Sequence, residues 1–147
     1  MSSRVVREGT LTGLLSGTIL GLGLKMVEVT TNLNVYTLLL NVDFIPIIGS
    51  VQWNEVIEFA FHLIIAVVIG IVYMYLRGRL ELERFRSLLL VAVVLGFPTI
   101  FLYFPLSFLA IKDVPSWDDY AAFFWWSLIH ILYIFSLPVL TRLLPKQ

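Results

Sequence analysis

The chain has 147 residues, of which 59% are hydrophobic and only 14% are charged. A soluble domain carries about a quarter charged residues, so this composition excludes an ordinary soluble domain and predicts one membrane-embedded domain. The formal net charge of zero argues against a nucleic-acid-binding protein, and the lack of cysteine excludes disulfides and thiolate metal sites.

The first predicted spanning helix runs from about Thr10 to Val29, close to the roughly 20 apolar residues that a bilayer requires. Gly13, Gly17 and Gly21 recur every four residues and form two overlapping GxxxG patterns on one helix face. Because glycine has no side chain, another helix can approach this face closely. The pattern indicates either a tight contact within the chain or a homodimer face.

Two charged residues follow on the same helix. Lys25 continues the glycine face by one further step of four, and Glu28 lies three residues on, within reach of Lys25. The next segment, from Asn34 to Gly49, is apolar but too short to cross a membrane. We predict that it forms a short interfacial or re-entrant helix at the outer face.

The second predicted span runs from about Asn54 to Leu76. Glu55, Glu58 and His62 are spaced i, i+3 and i+7, so they share one stripe of this helix. At 1.5 Å per residue, His62 lies roughly 13 Å below the outer interface. The same count puts Glu58 at about the depth of Lys25, so the sequence predicts that these two charges can meet.

The third predicted span, from about Ser87 to Ile111, contains Pro98, whose missing N–H predicts a kink. The fourth, from about Tyr120 to Leu140, carries His130 about 20 Å below the interface. Ser127 lies three residues before His130, a spacing more typical of helix packing than of a nucleophile with its base. The sequence contains no GxSxG elbow and no glycine-rich phosphate loop, so an enzymatic function has little support.

The basic residues are segregated along the chain. Eight of the ten fall on one side of the predicted spans, namely Arg4, Arg7, Arg77, Arg79, Arg84, Arg86, Arg142 and Lys146. By the positive-inside rule that side is cytoplasmic, and both termini are inside. The result is a prediction of an all-α, polytopic protein with four transmembrane helices and a short outer helix.

Ionisable groups in a membrane segment cost at least about 2.5 kcal/mol each and are tolerated when they face inward and pair. We therefore predict that six of them line one pocket open to the outside: Lys25, Glu28, Glu55, Glu58, His62 and His130. Two alternatives stay open. Lys25 and Glu58 form a structural ion pair, or Glu58 and His62 share a metal ion with a further ligand. Since there is no HExxH and no His-rich run, no metal or cofactor is predicted.

Three stretches resemble the YagU family of small bacterial inner-membrane proteins. They are GTILGLGLKMVE in the first span, EFAFHLIIAVVIGIVYMYL in the second, and VPSWDD followed by WWSLIHILYIF in the carboxyl half. The family's Pro-Pro-Arg element after the first-span Glu is absent here. The resemblance implies a protein of the bacterial cytoplasmic membrane, and it draws attention to Lys25, Glu28, Trp117 and His130. It implies no reaction.

The leading functional hypothesis is binding and transport of an ion, a proton or a small solute through the outward-facing pocket. Histidine titrates near neutral pH, so external pH would set the charge of such a pocket. The alternative is a structural or assembly role, in which the glycine face docks onto a larger membrane complex. A membrane enzyme acting on a lipid or isoprenoid is a third hypothesis. The lipid bilayer is the expected surrounding, and no nucleic acid is expected as a partner.

Overall fold

The computed structural model of the chain describes residues 2–143, and within that range it consists of α-helices and loops without a β-strand. Four helical segments are long and apolar enough to cross a membrane: Ser3–Thr31, Glu55–Arg79, Phe85–Leu109 and Tyr120–Leu143. The chain is therefore an all-α, multi-pass membrane protein, and the fold class expected from the sequence is confirmed.

The first helix, α1 (Ser3–Thr31), is longer than the apolar run from which it was predicted. It begins where the Ser2 hydroxyl accepts a hydrogen bond from the Val5 N–H at 3.4 Å. It ends at Asn32, whose φ of 57° is the left-handed conformation that asparagine tolerates at helix ends. Helix α1 is longer than the predicted span because polar turns at both ends are also helical.

A short helix, α2 (Val35–Leu40), follows α1 and packs on one end of the bundle. Val35 and Leu38 are fully buried, so protein contacts hold this helix in place. The short helix predicted in this region is confirmed, and the residues after it, up to 50, form turns instead of a re-entrant helix. We call this end of the bundle, with α2 and the segment 110–119, the α2 end.

The next helix, α3 (Glu55–Arg79), begins at the α2 end, where the Asn54 side chain accepts a hydrogen bond from the Ile57 N–H at 3.0 Å. Acidic residues occupy its first turn and arginines its last. This arrangement complements the helix dipole at both ends. The helix runs antiparallel to α1 along its whole apolar length.

The glycines of α1 lie directly against α3. A Cβ atom on Gly13 would come within 2.5 Å of the Ala66 carbonyl oxygen, and one on Gly17 within 2.5 Å of the Ala66 Cβ. Gly21 faces the ring of Phe59 with no more room. The glycine face is thus a contact within the chain, and it is not free for a second copy or a larger complex because α3 covers it.

The third span is divided into α4 (Phe85–Phe101) and α5 (Tyr103–Leu109), with the interruption at Leu102. Pro98, where a kink is predicted, lies inside α4, and the interruption follows four residues later. The helix breaks just before Pro105, which has no N–H to extend the ladder and is tolerated in the first turn of α5.

The last helix, α6 (Tyr120–Leu143), packs against this break. The indole N–H of Trp126 donates to the Ile100 carbonyl at 3.0 Å, and the Trp126 side chain is 1% exposed. An unpaired carbonyl costs several kcal/mol inside a membrane. This hydrogen bond explains why a tryptophan lies well inside the fourth span.

The four spans are not packed evenly. Helix α1 lies between α3 and α6, and α6 packs in turn against α4. Gly23 of α1 lies against Ile129 of α6, and Gly96 of α4 lies against Ile134. Helices α3 and α4 approach each other much less, and α3 and α5 stay apart. The backbones of α3 and α5 are consequently not in close contact with each other.

Arginines gather at the end opposite α2, which we call the arginine end. Arg4, Arg77 and Arg84 line one surface hollow there, and Arg142 lies beside Arg77 around an adjoining one. Lys146, counted with this group in the sequence, lies outside the described residues. The segregation of charge along the chain is thus a segregation between the two ends of the bundle.

Candidate functional site

Lys25 forms an ion pair with Glu55 and not with Glu58, the partner predicted from depth. The reason is the register of α1 against α3, in which every fourth residue of α1 faces every fourth residue of α3. The facing pairs are Gly9 with Ile71, Gly13 with Val67, Gly17 with Leu63 and Gly21 with Phe59. The next step brings Lys25 to Glu55, where the two side chains are 44% and 55% exposed.

Tyr36 of α2 completes this surface group. Its hydroxyl donates to Oε1 of Glu55 at 3.1 Å, and the Lys25 ammonium lies 5.3 Å from the centre of its ring. Burial raises the pKa of the Tyr36 phenol above its ordinary value, and the hydrogen bond to Glu55 raises it further. Tyr36 therefore stays a neutral donor, and the group joins α1, α2 and α3 at the surface.

Glu28, also predicted to line the pocket, instead caps α2. Its two carboxylate oxygens accept hydrogen bonds from the N–H of Thr37 at 2.8 Å and from the Thr37 hydroxyl at 3.0 Å. A carboxylate at the first turn of a helix satisfies a free N–H and complements the dipole. Glu28 thus has a structural role that its spacing from Lys25 did not indicate.

Glu58 pairs with Lys112, which comes from the segment between α5 and α6. The Glu58 side chain is only 9% exposed, while that of Lys112 is 37% exposed. Asp43 fixes this segment, because its Oδ2 accepts hydrogen bonds from the N–H groups of Ile111 and Lys112, each at 2.8 Å. The two loops of the α2 end are held together so that Lys112 reaches the buried carboxylate.

Glu58 also lines a cavity of about 300 Å³ between α3, α5 and α6. The polar residues around it come from four parts of the chain: Asn41, Glu58, His62, Thr99, His130 and Tyr133. The remaining walls are apolar, with Leu20, Ile69 and Leu106 among them. An apolar cavity with a few polar groups is typical of a small-molecule site.

Each histidine uses one ring nitrogen in a hydrogen bond to a backbone carbonyl. Nε2 of His62 lies 3.1 Å from the Gly17 oxygen, and Nδ1 of His130 lies 2.8 Å from the Trp126 oxygen. Because a carbonyl oxygen only accepts, both of these nitrogens carry a hydrogen. The other nitrogen of each neutral ring is then an acceptor, which can also take up a proton.

The relative depth of the histidines differs from the prediction. Ile129 lies against Gly23, whereas His62 reaches Gly17. His130 is therefore about one helical turn nearer the α2 end than His62, not deeper. The count took Trp53 and Trp117 to lie at the same depth. The packing of Ile129 against Gly23 and of Phe59 against Gly21 shows instead that α6 starts farther toward the α2 end than α3 does.

Two buried polar groups of the cavity lining have no hydrogen-bond partner among residues 2–143. They are the hydroxyl of Tyr133, a residue 1% exposed, and the amide nitrogen of Asn41, a residue 4% exposed. Buried polar groups are almost always hydrogen-bonded. Both groups can meet the polar part of a bound molecule.

The other chemical alternatives find no matching geometry. The described part of the chain contains no group of three side chains able to hold a metal ion, so Glu58 and His62 have no third ligand there. Within the same residues, the Ser127 hydroxyl has no hydrogen-bond partner, and the Nδ1 of His130 is bonded to backbone. A serine–histidine pair is not formed.

The structure thus divides the six predicted pocket residues into two sets. Glu58, His62 and His130 share the cavity, whereas Lys25, Glu28 and Glu55 lie outside it. Sequence reasoning missed the contributions of Lys112 and Asn41. The signal available for Lys112 was its position as the single basic residue of the outer link.

Comparison of the chain with known protein families, with curated proteins and with solved structures finds no significant match in any of the three. The resemblance to the YagU family accordingly stays a prediction from the residues that carry it.

Proposed function

We propose that the chain binds a small solute in the cavity and transports it across the membrane. The observation that carries this proposal is the meeting of Glu58, His62 and His130 in one cavity. Ionisable residues inside membrane segments are expensive, and by default they mark a pathway for an ion, a proton or a solute. The free nitrogen of each histidine lets a proton accompany the solute.

The charge balance of the cavity favours an uncharged solute over an inorganic ion. Among residues 2–143, Glu58 is the one carboxylate that lines the cavity, and Lys112 already neutralises it. Each histidine donates one ring N–H to a carbonyl, and in the neutral ring the other nitrogen presents a lone pair and no charge. A lone inorganic ion would have to compete with Lys112 for the same carboxylate.

Buried polar groups continue from the cavity toward the arginine end. Thr12 and Tyr73 are fully buried, and Thr141 is 4% exposed. The Tyr73 hydroxyl donates to the Leu88 carbonyl at 3.3 Å, and Thr141 bonds to its own helix. These groups supply hydrogen-bonding positions inside the bundle beyond Tyr133, as transport of a polar group or a proton requires.

A proton-flux assay tests this proposal. We expect vesicles reconstituted with the wild-type chain to dissipate an imposed pH gradient faster than protein-free vesicles, as read by a trapped pH-sensitive dye. Glu58→Gln and His62→Ala should abolish the difference because each removes a group that takes up or positions a proton. Lys112 is exposed enough to remain solvated in the first variant.

Glu55→Gln is the matched control. Glu55 lies on the same helix, one turn away, and is also paired with a lysine, but it does not line the cavity. Its flux should equal that of the wild type. Unchanged flux in both cavity variants, or a wild type no faster than protein-free vesicles, contradicts proton transport through this cavity.

We also propose that the arginine end faces the cytoplasm of a bacterial cell, with both termini inside. The chain contains no cysteine, so single substitutions report accessibility directly. We expect Ser116→Cys, exposed at the α2 end, to react with a membrane-impermeant maleimide in intact spheroplasts. Ser3→Cys at the arginine end should react only after permeabilisation, and the reverse pattern would invert the proposed orientation.

Assembly into a homo-oligomer or a larger membrane complex stays a prediction. The face predicted for docking is occupied, since α3 packs against Gly13, Gly17 and Gly21. Any such assembly therefore has to use another surface of the bundle.

A further inference from the structure

We propose that the solute enters the cavity sideways from the lipid, between α3 and α5, and that it carries a hydroxyl group on an apolar body. This inference rests on the proposed function in that it takes the same cavity as the binding site. It adds the route and the chemical class of the solute.

The route follows from the uneven packing of the bundle. Helix α3 packs along α1, and α4 packs along α6, but α3 and α5 stay apart. Four residues that line the cavity on this side are also exposed: Ile65 at 61%, Leu102 at 48%, Leu109 at 50%, and Pro105. At the α2 end the exposed lining residue is Phe44, at 36%. Residues that both line a cavity and face outward mark its opening. All four are apolar, so a lipid-soluble molecule meets no charged barrier there.

The α2 end offers a less favourable route. The Glu58–Lys112 ion pair lies on that side, and the segment from Asn41 to Ile45 forms part of the cavity wall. Asp43 ties this segment to the backbone of Ile111 and Lys112 with two hydrogen bonds of 2.8 Å. Access from water would require these contacts to break, whereas access from lipid requires none of them to change.

The cavity walls and volume describe the body of the solute. The walls are mostly apolar, which favours an apolar body over a polar one. A volume of about 300 Å³ is at the lower end for ligand cavities. It accommodates the head and the first part of such a molecule, and the rest extends through the opening into the bilayer.

The hydrogen-bonding groups describe the head. The free ring nitrogens of His62 and His130 are acceptors, because the other nitrogen of each ring donates to a carbonyl. The amide nitrogen of Asn41 is a donor, and the Tyr133 hydroxyl is both donor and acceptor; neither has a partner within residues 2–143. A hydroxyl group donates one hydrogen bond and accepts others, so it matches this mixed set. An ether can only accept.

Photolabelling in vesicles tests both parts. The probe is a long-chain primary alcohol with a diazirine near the hydroxyl, and the comparison probe is its methyl ether. Both dissolve in the bilayer. We expect the alcohol to label peptides with cavity residues such as Ile69 and Leu106 about tenfold more than the ether, the effect of one hydrogen bond. Tyr133→Phe should reduce this preference.

The route is tested by closing the opening. Ile65→Trp should reduce cavity labelling by the alcohol several-fold, because the larger ring fills the gap between α3 and α5. Ile64→Trp is the matched control, since Ile64 is equally exposed at 60% but does not line the cavity. Leu109→Trp, with Ile111→Trp as its control, gives a second pair should the first variant fail to fold.

Each outcome has a defined meaning. Equal labelling by alcohol and ether overturns the hydroxyl class, and equal labelling of the Ile65→Trp and Ile64→Trp proteins overturns the lateral route. Loss of selective labelling with intact, Glu58-dependent proton flux rejects this inference and leaves the proposed transport standing. Selective labelling without Glu58-dependent proton flux supports this inference and rejects the proposed transport.

Discussion

Gly13→Ala should lower the free energy of unfolding by about 2 kcal/mol or more, an unusually large effect for one added methyl group. The new Cβ would lie 2.5 Å from the Ala66 carbonyl oxygen and 2.6 Å from the Val67 Cα. Both atoms belong to the backbone, so no change of rotamer relieves the overlap. Helix α3 must move away from α1, and this separation also loosens the wall that holds His62 against Gly17.

Gly78→Ala is the control for this substitution. Gly78 lies in the last turn of α3, and a Cβ there would meet nothing within 4 Å. Alanine has the higher helix propensity, so this variant should be neutral or more stable by up to about 1 kcal/mol. Unfolding in detergent, followed by circular dichroism, compares the two. Equal stability of both variants would show that the α1–α3 contact is looser than the structure has it.

The spans were predictable because the bilayer fixes the length of an apolar run, whatever the helices pack against. The glycine repeat was predictable as a helix face, because periodicity is local. The helix that packs on this face was not predictable. A repeat such as Gly13–Gly17–Gly21 shows where another helix can approach, but it does not identify that helix. The break at Leu102 was ambiguous for a related reason. Pro98 and Pro105 both lie in the third span, and tertiary packing by Trp126 favours one of the possible positions.

In the candidate site too, contacts within one helix were predictable from the sequence, and contacts between helices were not. Glu58 and His62 share a stripe of one helix, so their spacing was enough to place them together. The partner of Lys25 depended on the register between two helices, which depth alone does not give. Gly21 faces Phe59, so moving four residues along each helix from this pair brings Lys25 opposite Glu55.

Lys112 shows why loop residues escape this kind of reasoning. It lies between α5 and α6, where no helical period fixes the direction of a side chain. Its position depends on Asp43, a residue far away in sequence, through hydrogen bonds to backbone. The ion pair with Glu58 nevertheless joins the loops of the α2 end to the cavity, so its energetics bear on both stability and function.

Lys112→Ala should destabilise the chain by about 2–3 kcal/mol, because it leaves a carboxylate that is 9% exposed without its counter-charge. The loss should be smaller than the roughly 3–5 kcal/mol typical of fully buried pairs, since Lys112 is partly solvated. Adding Glu58→Gln should recover most of the stability, because a buried amide needs hydrogen bonds but no cation. Unfolding of the two single variants and the double variant measures this coupling directly.

Lys25→Ala removes the lysine of an exposed ion pair, so comparing it with Lys112→Ala shows how much of the lost stability is due to the burial of Glu58. Its partner Glu55 is 55% exposed, and exposed ion pairs contribute about 1 kcal/mol or less. If the Lys25 and Lys112 variants lose equal stability, or if the double variant is no more stable than Lys112→Ala, Glu58 is solvated and the cavity is open to water at the α2 end. A large loss of stability in Lys112→Ala alone, recovered by adding Glu58→Gln, means that the ion pair keeps water out of the cavity at the α2 end. That result would favour the proposed lateral route between α3 and α5 over entry at the α2 end.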